Sequence, residues 1–243
     1  AFKAEKFFAY FQAFSNTYAP LPVLRERYEV IRRFPRIVGL SVGTRPDCVS
    51  RPVIELLAHF CETHEVWVEY GLQSAHDETL KRVNRGHRVA DFLEAVERTR
   101  PFGIRICAHV ILGLPGEDRG MMMETARFLA GLPIDGVKIH LLHIMRGTPY
   151  ETMFRQGKIG VLSEGAYVSL VCDFLERLPP HFTIQRLTAN APPDILVAPA
   201  WCRSQRATRN AIEAELRRRK SFQGRVFLAE RRGSVWRAGA ATG

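Results

Sequence analysis

The sequence predicts an α/β fold in which parallel strands alternate with helices as βα units and are arranged as a β/α barrel. Three observations predict it. Short runs rich in β-branched and aromatic residues recur along the chain with amphipathic helical stretches between them, the pattern of parallel βα units. A doubly wound dinucleotide fold would carry a G-x-G-x-x-G turn after an early strand, and none is present. Polar residues gather after every strong strand, where a β/α barrel builds its active site.

The elements follow in order. Strands are expected at residues 6–12 (KFFAYFQ), 37–43 (IVGLSVG), 65–72 (EVWVEYGL), 104–112 (IRICAHVIL) and 136–144 (GVKIHLLHI), with a weaker one at 183–187 (TIQRL). Helices are expected at 21–33, 51–63, 76–83 with 90–100, 119–130 and 164–178. Residues 1–187 form the expected barrel core. Residues 188–243 form an extension: a Pro-rich connector (TANAPPDILVAPAWC), a basic helix over 205–220 and a frayed end in GSVWRAGAATG.

Composition narrows the class. A content of 46% hydrophobic residues over 243 residues supports a substantial core. The formal charge of +10 is concentrated at one end, since residues 203–237 hold eleven Arg or Lys against three Glu. Such a region suits a polyanionic partner such as nucleic acid. Five cysteines at 48, 61, 107, 172 and 202 make no disulfide framework, which points to a reducing cytoplasm. No apolar run has the length to span a bilayer, so no membrane partner is expected.

Four stretches carry chemistry. In GTRPD, Gly43 lets the backbone turn off the strand, Asp47 or Ser50 caps the next helix, and Thr44 and Arg45 point to the barrel mouth, where a guanidinium holds a carboxylate or phosphate. In VEYGLQSAHDETLKRVNRGH, alternation puts Glu69 on one face with Trp67, Gly71 and Gln73. If that face is internal, Glu69 is a buried carboxylate that needs a ligand amine or an Arg, and the Gln73 amide suits ribose hydroxyls. Ser74 ends the same polar cluster. His109 precedes ILGLPGE, whose glycines allow close approach of a flat ligand and whose Glu117 begins a helix. Lys138, His140, His143 and Arg146 are further polar residues around the fifth strand.

The succession YFQAFSNTYAP, VGLSVGTRPDC, VEYGLQSAHDETLKRVNRGH, CAHVILGLPGE and VKIHLLHIMRGTPYE resembles the radical S-adenosylmethionine (SAM) superfamily, and within it a bacterial group related to the catalytic subunit of Elongator. The resemblance implies a partial (β/α)6 TIM-like barrel that holds a [4Fe–4S] cluster and SAM, and an enzyme that cleaves SAM to a 5′-deoxyadenosyl radical with an electron from a donor. By position, it assigns Gln12 and Ser15 to the SAM amino group and Gln73 and Arg85 to the ribose and methionine carboxylate. Thr44, Arg45, Glu69, Ser74 and His109 line the same pocket, and the backbone at Gly113 and Leu142 lines the adenine. It implies RNA, tRNA included, as substrate or partner. The family's three cluster ligands, spaced C-x-x-x-C-x-x-C, have no counterpart, since the closest cysteines are Cys48 and Cys61. The resemblance therefore implies that the first strand and cluster loop lie upstream of Ala1, that no metal ligand lies in this chain, and that the 243 residues alone are inactive. The competing expectation is a non-catalytic nucleic-acid-binding protein, with the barrel as scaffold and the Arg-rich extension on phosphates.

Overall fold

A computed structural model describes residues 4–12, 14–189 and 191–239, the side chains of 233–239 excepted. Six strands form one sheet in the order β1-β2-β3-β4-β5-β7: β1 (Phe7–Phe11), β2 (Ile37–Thr44), β3 (Glu65–Gln73), β4 (Arg105–Leu112), β5 (Gly136–Leu141) and β7 (Thr183–Arg186). β1 pairs parallel to β2, with Tyr10 opposite Ser41, and β2 pairs parallel to β3, with Gly43 opposite Glu69. All six expected strands are present. The fifth ends at Leu141, three residues before its expected end, because the Leu142 amide turns to donate to the Leu112 carbonyl at 3.0 Å.

The chain divides into two compact units, and each is described by itself. The first comprises Ala1–Gln73, Arg85–His109 and Pro133–Val137. Alternation sorts its strands cleanly. Leu40 and Val42 of β2 and Val66, Val68, Tyr70 and Leu72 of β3 are buried on one face. The helices α1 (Leu21–Glu29), α2 (Arg51–Ala58) and α4 (Val89–Thr99) bury Leu24 and Tyr28, Ile54 and Leu57, and Phe92 and Val96. Aromatic edges lock the layer. Tyr70 meets Phe92 edge-on at 6.4 Å and its hydroxyl lies 2.7 Å from the Thr99 hydroxyl, while Tyr28 packs between Phe11 and Phe60. Gly39 is bare for a reason, since a Cβ there would enter the Phe8 ring. Ser50 stands at the N-cap of α2, but its hydroxyl makes no capping hydrogen bond; Pro52 supplies the start instead.

The second unit comprises Ser74–Asn84, Val110–Leu132 and Lys138–Gly243. It holds α3 (Asp77–Arg82), α5 (Arg119–Ala130), α6 (Pro149–Arg155), α7 (Glu164–Arg177), α8 (Gln205–Arg218) and α9 (Arg225–Gly239). α5 starts at Arg119 with Asp118 as its cap, whose Oδ1 accepts from the Met121 amide at 2.9 Å, so Glu117 precedes the helix and does not begin it. α6 was not expected, although Thr148, Pro149 and Glu151 spell its start: the Thr148 hydroxyl accepts from the Glu151 amide. β6 (Ile144–Met145) pairs antiparallel with β8 (Leu196–Ala198) inside the expected connector. Helical backbone continues to Gly239 where a frayed end was expected, so GSVWRAG belongs to α9, and residues 240–243 lie outside the described residues. No helix among the described residues is long and apolar enough to cross a membrane.

α7 is the centre of this unit. It buries Tyr167, Val171, Phe174 and Leu175, and also two carboxylates, Asp173 and Glu176. Arg219 at the end of α8 meets them: its guanidinium lies 2.8 Å from Asp173, 3.7 Å from Glu176 and 2.7 Å from Glu215, and donates to the Ser169 hydroxyl at 2.8 Å. Arg119 also touches Asp173. Removing the shared cation would leave Glu176 without this partner and Asp173 with Arg119 alone. Arg219→Met is expected to lower the unfolding free energy by about 3 kcal/mol, measured by urea unfolding. Arg209→Met, which breaks an exposed pair with Glu213, is expected to cost less than about 0.5 kcal/mol. Equal losses in the two variants would overturn the account of the clamp.

Candidate functional site

In the first unit, four adjacent strands direct one polar side chain each into a common cluster. Glu69 on β3 is 2% exposed. Its Oε2 accepts from the Tyr10 hydroxyl at 2.8 Å and lies 2.7 Å from His109 Nε2, and its Oε1 accepts from the Ser41 hydroxyl at 2.5 Å. The carboxylate is therefore internal, as alternation requires. Tyr10, Ser41 and His109, on β1, β2 and β4, are protein partners that meet it. The register explains this, since Tyr10 and Ser41 are paired and Ser41 is diagonal to Glu69, so protein donors reach it from neighbouring strands. Tyr10 and Ser41 were not singled out in the sequence. The signal was Ser41, a hydroxyl inside the apolar run IVGLSVG.

A second cluster forms where β3 ends. Gln73 has φ +70°, a left-handed conformation that is uncommon outside glycine and concentrates at functional sites. Its side chain and that of Arg85 both lie over Gly71: a Cβ on that glycine would sit 2.5 Å from Gln73 Nε2 and 2.5 Å from Arg85 Nη2. Arg85 is half-buried, and its Nε is buried without a hydrogen-bond partner among the described residues. Burial lowers its pKa, the nearby Arg45 lowers it further, and Asp47 opposes both. Such a group is completed by an anion, because a guanidinium presents a planar fork of donors that a carboxylate satisfies. The neighbouring His87 is buried, and burial followed by the Arg85 charge holds its ring below the ordinary histidine range.

Arg45 has partners within the protein. It donates to Asp47 from Nε at 2.9 Å and from Nη2 at 2.5 Å, and Nη2 also donates to the Gly86 carbonyl at 2.9 Å. The carboxylate it holds belongs to its own GTRPD segment, two residues away. Thr44 is buried, with its hydroxyl 2.6 Å from that of Thr17. The loop after β1 is pinned by Asn16, whose side-chain amide donates to the Phe11 and Gly43 carbonyls at 3.0 Å each. Gln12 is exposed and Ser15 half-buried.

In the second unit, Ser74 is buried and donates to Glu117, whose pKa burial raises while the Ser74 hydrogen bond opposes. Gly113 has φ +84° and carries Leu162 over its open face, where a Cβ would lie 3.0 Å from Leu162 Cδ1. Leu142 packs with Leu114, Ile144 and Ala198. His143 Nε2 lies 3.4 Å from the Cys202 thiol, Lys138 is buried, and Arg146 is exposed.

Among the described residues no group of three or more His, Cys, Asp or Glu could hold a metal ion. The cysteines are free, and burial raises the Cys61 and Cys202 thiols and pushes Cys172 up to about 11, the reverse of what a thiolate ligand needs. These residues do not fit an iron–sulfur cluster. The Arg85–Gln73 pair does fit a carboxylate-bearing, hydroxyl-bearing ligand.

The family model described as the radical SAM superfamily matches residues 3–129, more than half of the chain, and the radical SAM C-terminal domain matches residues 134–218. The chain belongs to the radical SAM superfamily. It is 45% identical over 225 residues to YtqA of Bacillus subtilis (strain 168), spanning 93% of this chain and 70% of that protein. It is 32% identical over 164 residues to the tRNA uridine(34) acetyltransferase of Dehalococcoides mccartyi (strain CBDB1), spanning 65% of this chain and 34% of that one. The structure of archaeal Methanocaldococcus infernus Elp3 with an N-terminal deletion superposes with a TM-score of 0.71 at 19% identity, covering 87% of this chain and 55% of that chain. That likeness establishes the fold class, an α/β partial barrel of parallel strands with helices.

Gly71→Ala tests the second cluster directly. The clash falls on the far ends of two flexible side chains, so the variant is expected to fold with a stability loss of about 1 kcal/mol or less, while the Arg85 and Gln73 side chains move. Arginine Nε–Hε resonances of a 15N-labelled sample would read the displacement, and an unmoved Arg85 signal would contradict the geometry.

Proposed function

We propose that this chain is the SAM-orienting part of a radical SAM enzyme, with Arg85 and Gln73 as the principal anchors. One observation carries the reading: in a chain of this superfamily, a half-buried guanidinium with an unpartnered Nε sits beside an amide over a side-chain-free Gly71. Arg85 holds the methionine carboxylate through charge-assisted donors. Gln73 holds the ribose hydroxyls, for which an amide supplies both donor and acceptor. Gln12 and Ser15 serve the amino group, and Thr44 completes the polar surround. Bound SAM, with a [4Fe–4S] cluster and an electron donor, would supply the radical chemistry of the superfamily. The chain's own residues contribute orientation and the exclusion of water.

The Glu69 cluster has a different role in this reading. Its carboxylate is met by three protein donors, so it fixes Tyr10 and His109 in place beside the site, as buried hydrogen-bonded groups do. RNA, tRNA included, is the proposed substrate class, supported by the relative named a tRNA uridine(34) acetyltransferase. The proposed setting is the cytoplasm, in keeping with the five free thiols.

The natural gene product, reconstituted anaerobically with iron and sulfide, is expected to release 5′-deoxyadenosine from SAM. Arg85→Met and Gln73→Ala are each expected to weaken SAM binding by about tenfold or more with the circular dichroism spectrum unchanged. Wild-type affinity in both variants would sink the assignment, and no 5′-deoxyadenosine from a fully loaded cluster would sink the activity.

A further inference from the structure

The GTRPD segment carries an arginine that the SAM site does not need as a ligand. Arg45 uses two nitrogens of its fork inside the protein: Nε and Nη2 on the two oxygens of Asp47, and Nη2 again on the Gly86 carbonyl. Asp47 stays ionised, because its hydrogen bond to Arg45 holds its carboxyl below the ordinary aspartate range against the opposing effect of burial. The guanidinium also lies against Gly86. A Cβ on Gly86 would stand 3.1 Å from Arg45 Nη2 and 3.3 Å from Nη1, and Gly86 has φ +77°, a conformation that favours glycine.

Gly86 is the residue that follows Arg85. A held carbonyl and a left-handed φ at Gly86 fix the direction in which the chain leaves Arg85, and with it the vector of the Arg85 side chain. That side chain reaches back over Gly71 to lie beside Gln73. Two glycines thus make room for two arginines: Gly86 for Arg45 and Gly71 for Arg85. The charges are also arranged. Arg45 alone would repel Arg85 and any shared cationic ligand group, and Asp47 balances it, so the charge left for an anion is that of Arg85.

We propose that Arg45, locked by Asp47, is a positioning residue: by holding the Gly86 carbonyl it sets the Arg85 guanidinium beside Gln73 in the geometry that receives a carboxylate. The inference rests on Arg85 being the carboxylate-binding group. It goes beyond that reading by giving GTRPD and RGH one joint task, carried through main chain, with neither Arg45 nor Asp47 touching ligand.

The test uses the full chain, 15N-labelled, with S-adenosylhomocysteine as the probe in calorimetry and arginine Nε–Hε resonances as the structural readout. Arg45→Met and Asp47→Asn are expected to shift the Arg85 Nε–Hε resonance in the free protein and to weaken S-adenosylhomocysteine binding by about tenfold. Arg45→Lys keeps a donor for Gly86 without the fork to Asp47 and is expected to fall between wild type and Arg45→Met; it also serves if Arg45→Met does not fold. An unmoved Arg85 resonance in Arg45→Lys and Asp47→Asn overturns the inference, whatever the affinity. Lost affinity with an unmoved resonance would make Arg45 a direct ligand contact, which also overturns it. Arg85→Met separates the two levels: wild-type binding in that variant defeats the reading of Arg85 itself, whereas weak binding there with unaffected Arg45 and Asp47 variants defeats only the positioning role.

Discussion

A carboxylate with 2% of its surface exposed constrains everything around it. Glu69 can stay in the interior only if donors meet it, since an unpaired buried charge costs several kcal/mol or shifts to its neutral form. Tyr10, Ser41 and His109 supply those donors from β1, β2 and β4, so one residue ties together four neighbouring strands. Barrel interiors are ordinarily filled with branched apolar side chains. A polar layer at this level sacrifices that packing, and such sacrifices persist where a site needs fixed polar groups.

The same logic runs through the Arg45–Gly86–Arg85 chain, with the sign reversed. Two guanidinium groups close together are unfavourable unless each is answered. Arg45 is answered internally by Asp47, whereas Arg85 has a buried Nε without a partner. Satisfied groups build the frame, and in the proposed function the unsatisfied one is where a ligand completes it. The two arginines differ by two residues' worth of local sequence: a carboxylate stands two positions after Arg45 and none stands near Arg85 in RVNRGH.

The six sheet strands and the helices α1, α2, α4, α5, α7 and α8 were legible because each carries its own period: two for Val66, Val68, Tyr70 and Leu72, and about four for the apolar face of α4; α9, which has little apolar periodicity, was not. β6 and β8 were not legible, because elements of two and three residues are shorter than any period that could announce them. α6 was announced by its cap and not by periodicity. At the site, alternation was enough to place Glu69 inside. It could not name the partners, since which strand lies beside which, and in what register, is a tertiary fact. The Arg45 partners were hidden for the same reason: the sequence shows a guanidinium and a nearby acid, but only the fold decides that the fork meets Asp47 and the Gly86 carbonyl.

Charge is the property for which composition and structure diverge most. The eleven basic residues of 203–237 read as a polyanion-binding face, yet a cation contributes counterion release only if it is free to meet a phosphate. Arg219 is committed to Asp173, Glu176 and Glu215, Arg218 to Glu215, and Arg209 and Arg217 to Glu213. Arg203, Arg206, Lys220, Arg225 and Arg232 remain exposed without an ion pair among the described residues. The acidic residues that pair with the others lie within the same helix, at spacings of three and four, or on α7 beneath it. Of these cations Arg219 alone holds α8 to α7, while Arg209, Arg217 and Arg218 are paired along α8 itself, and the cations without an ion pair among the described residues are the ones left free to meet a polyanion.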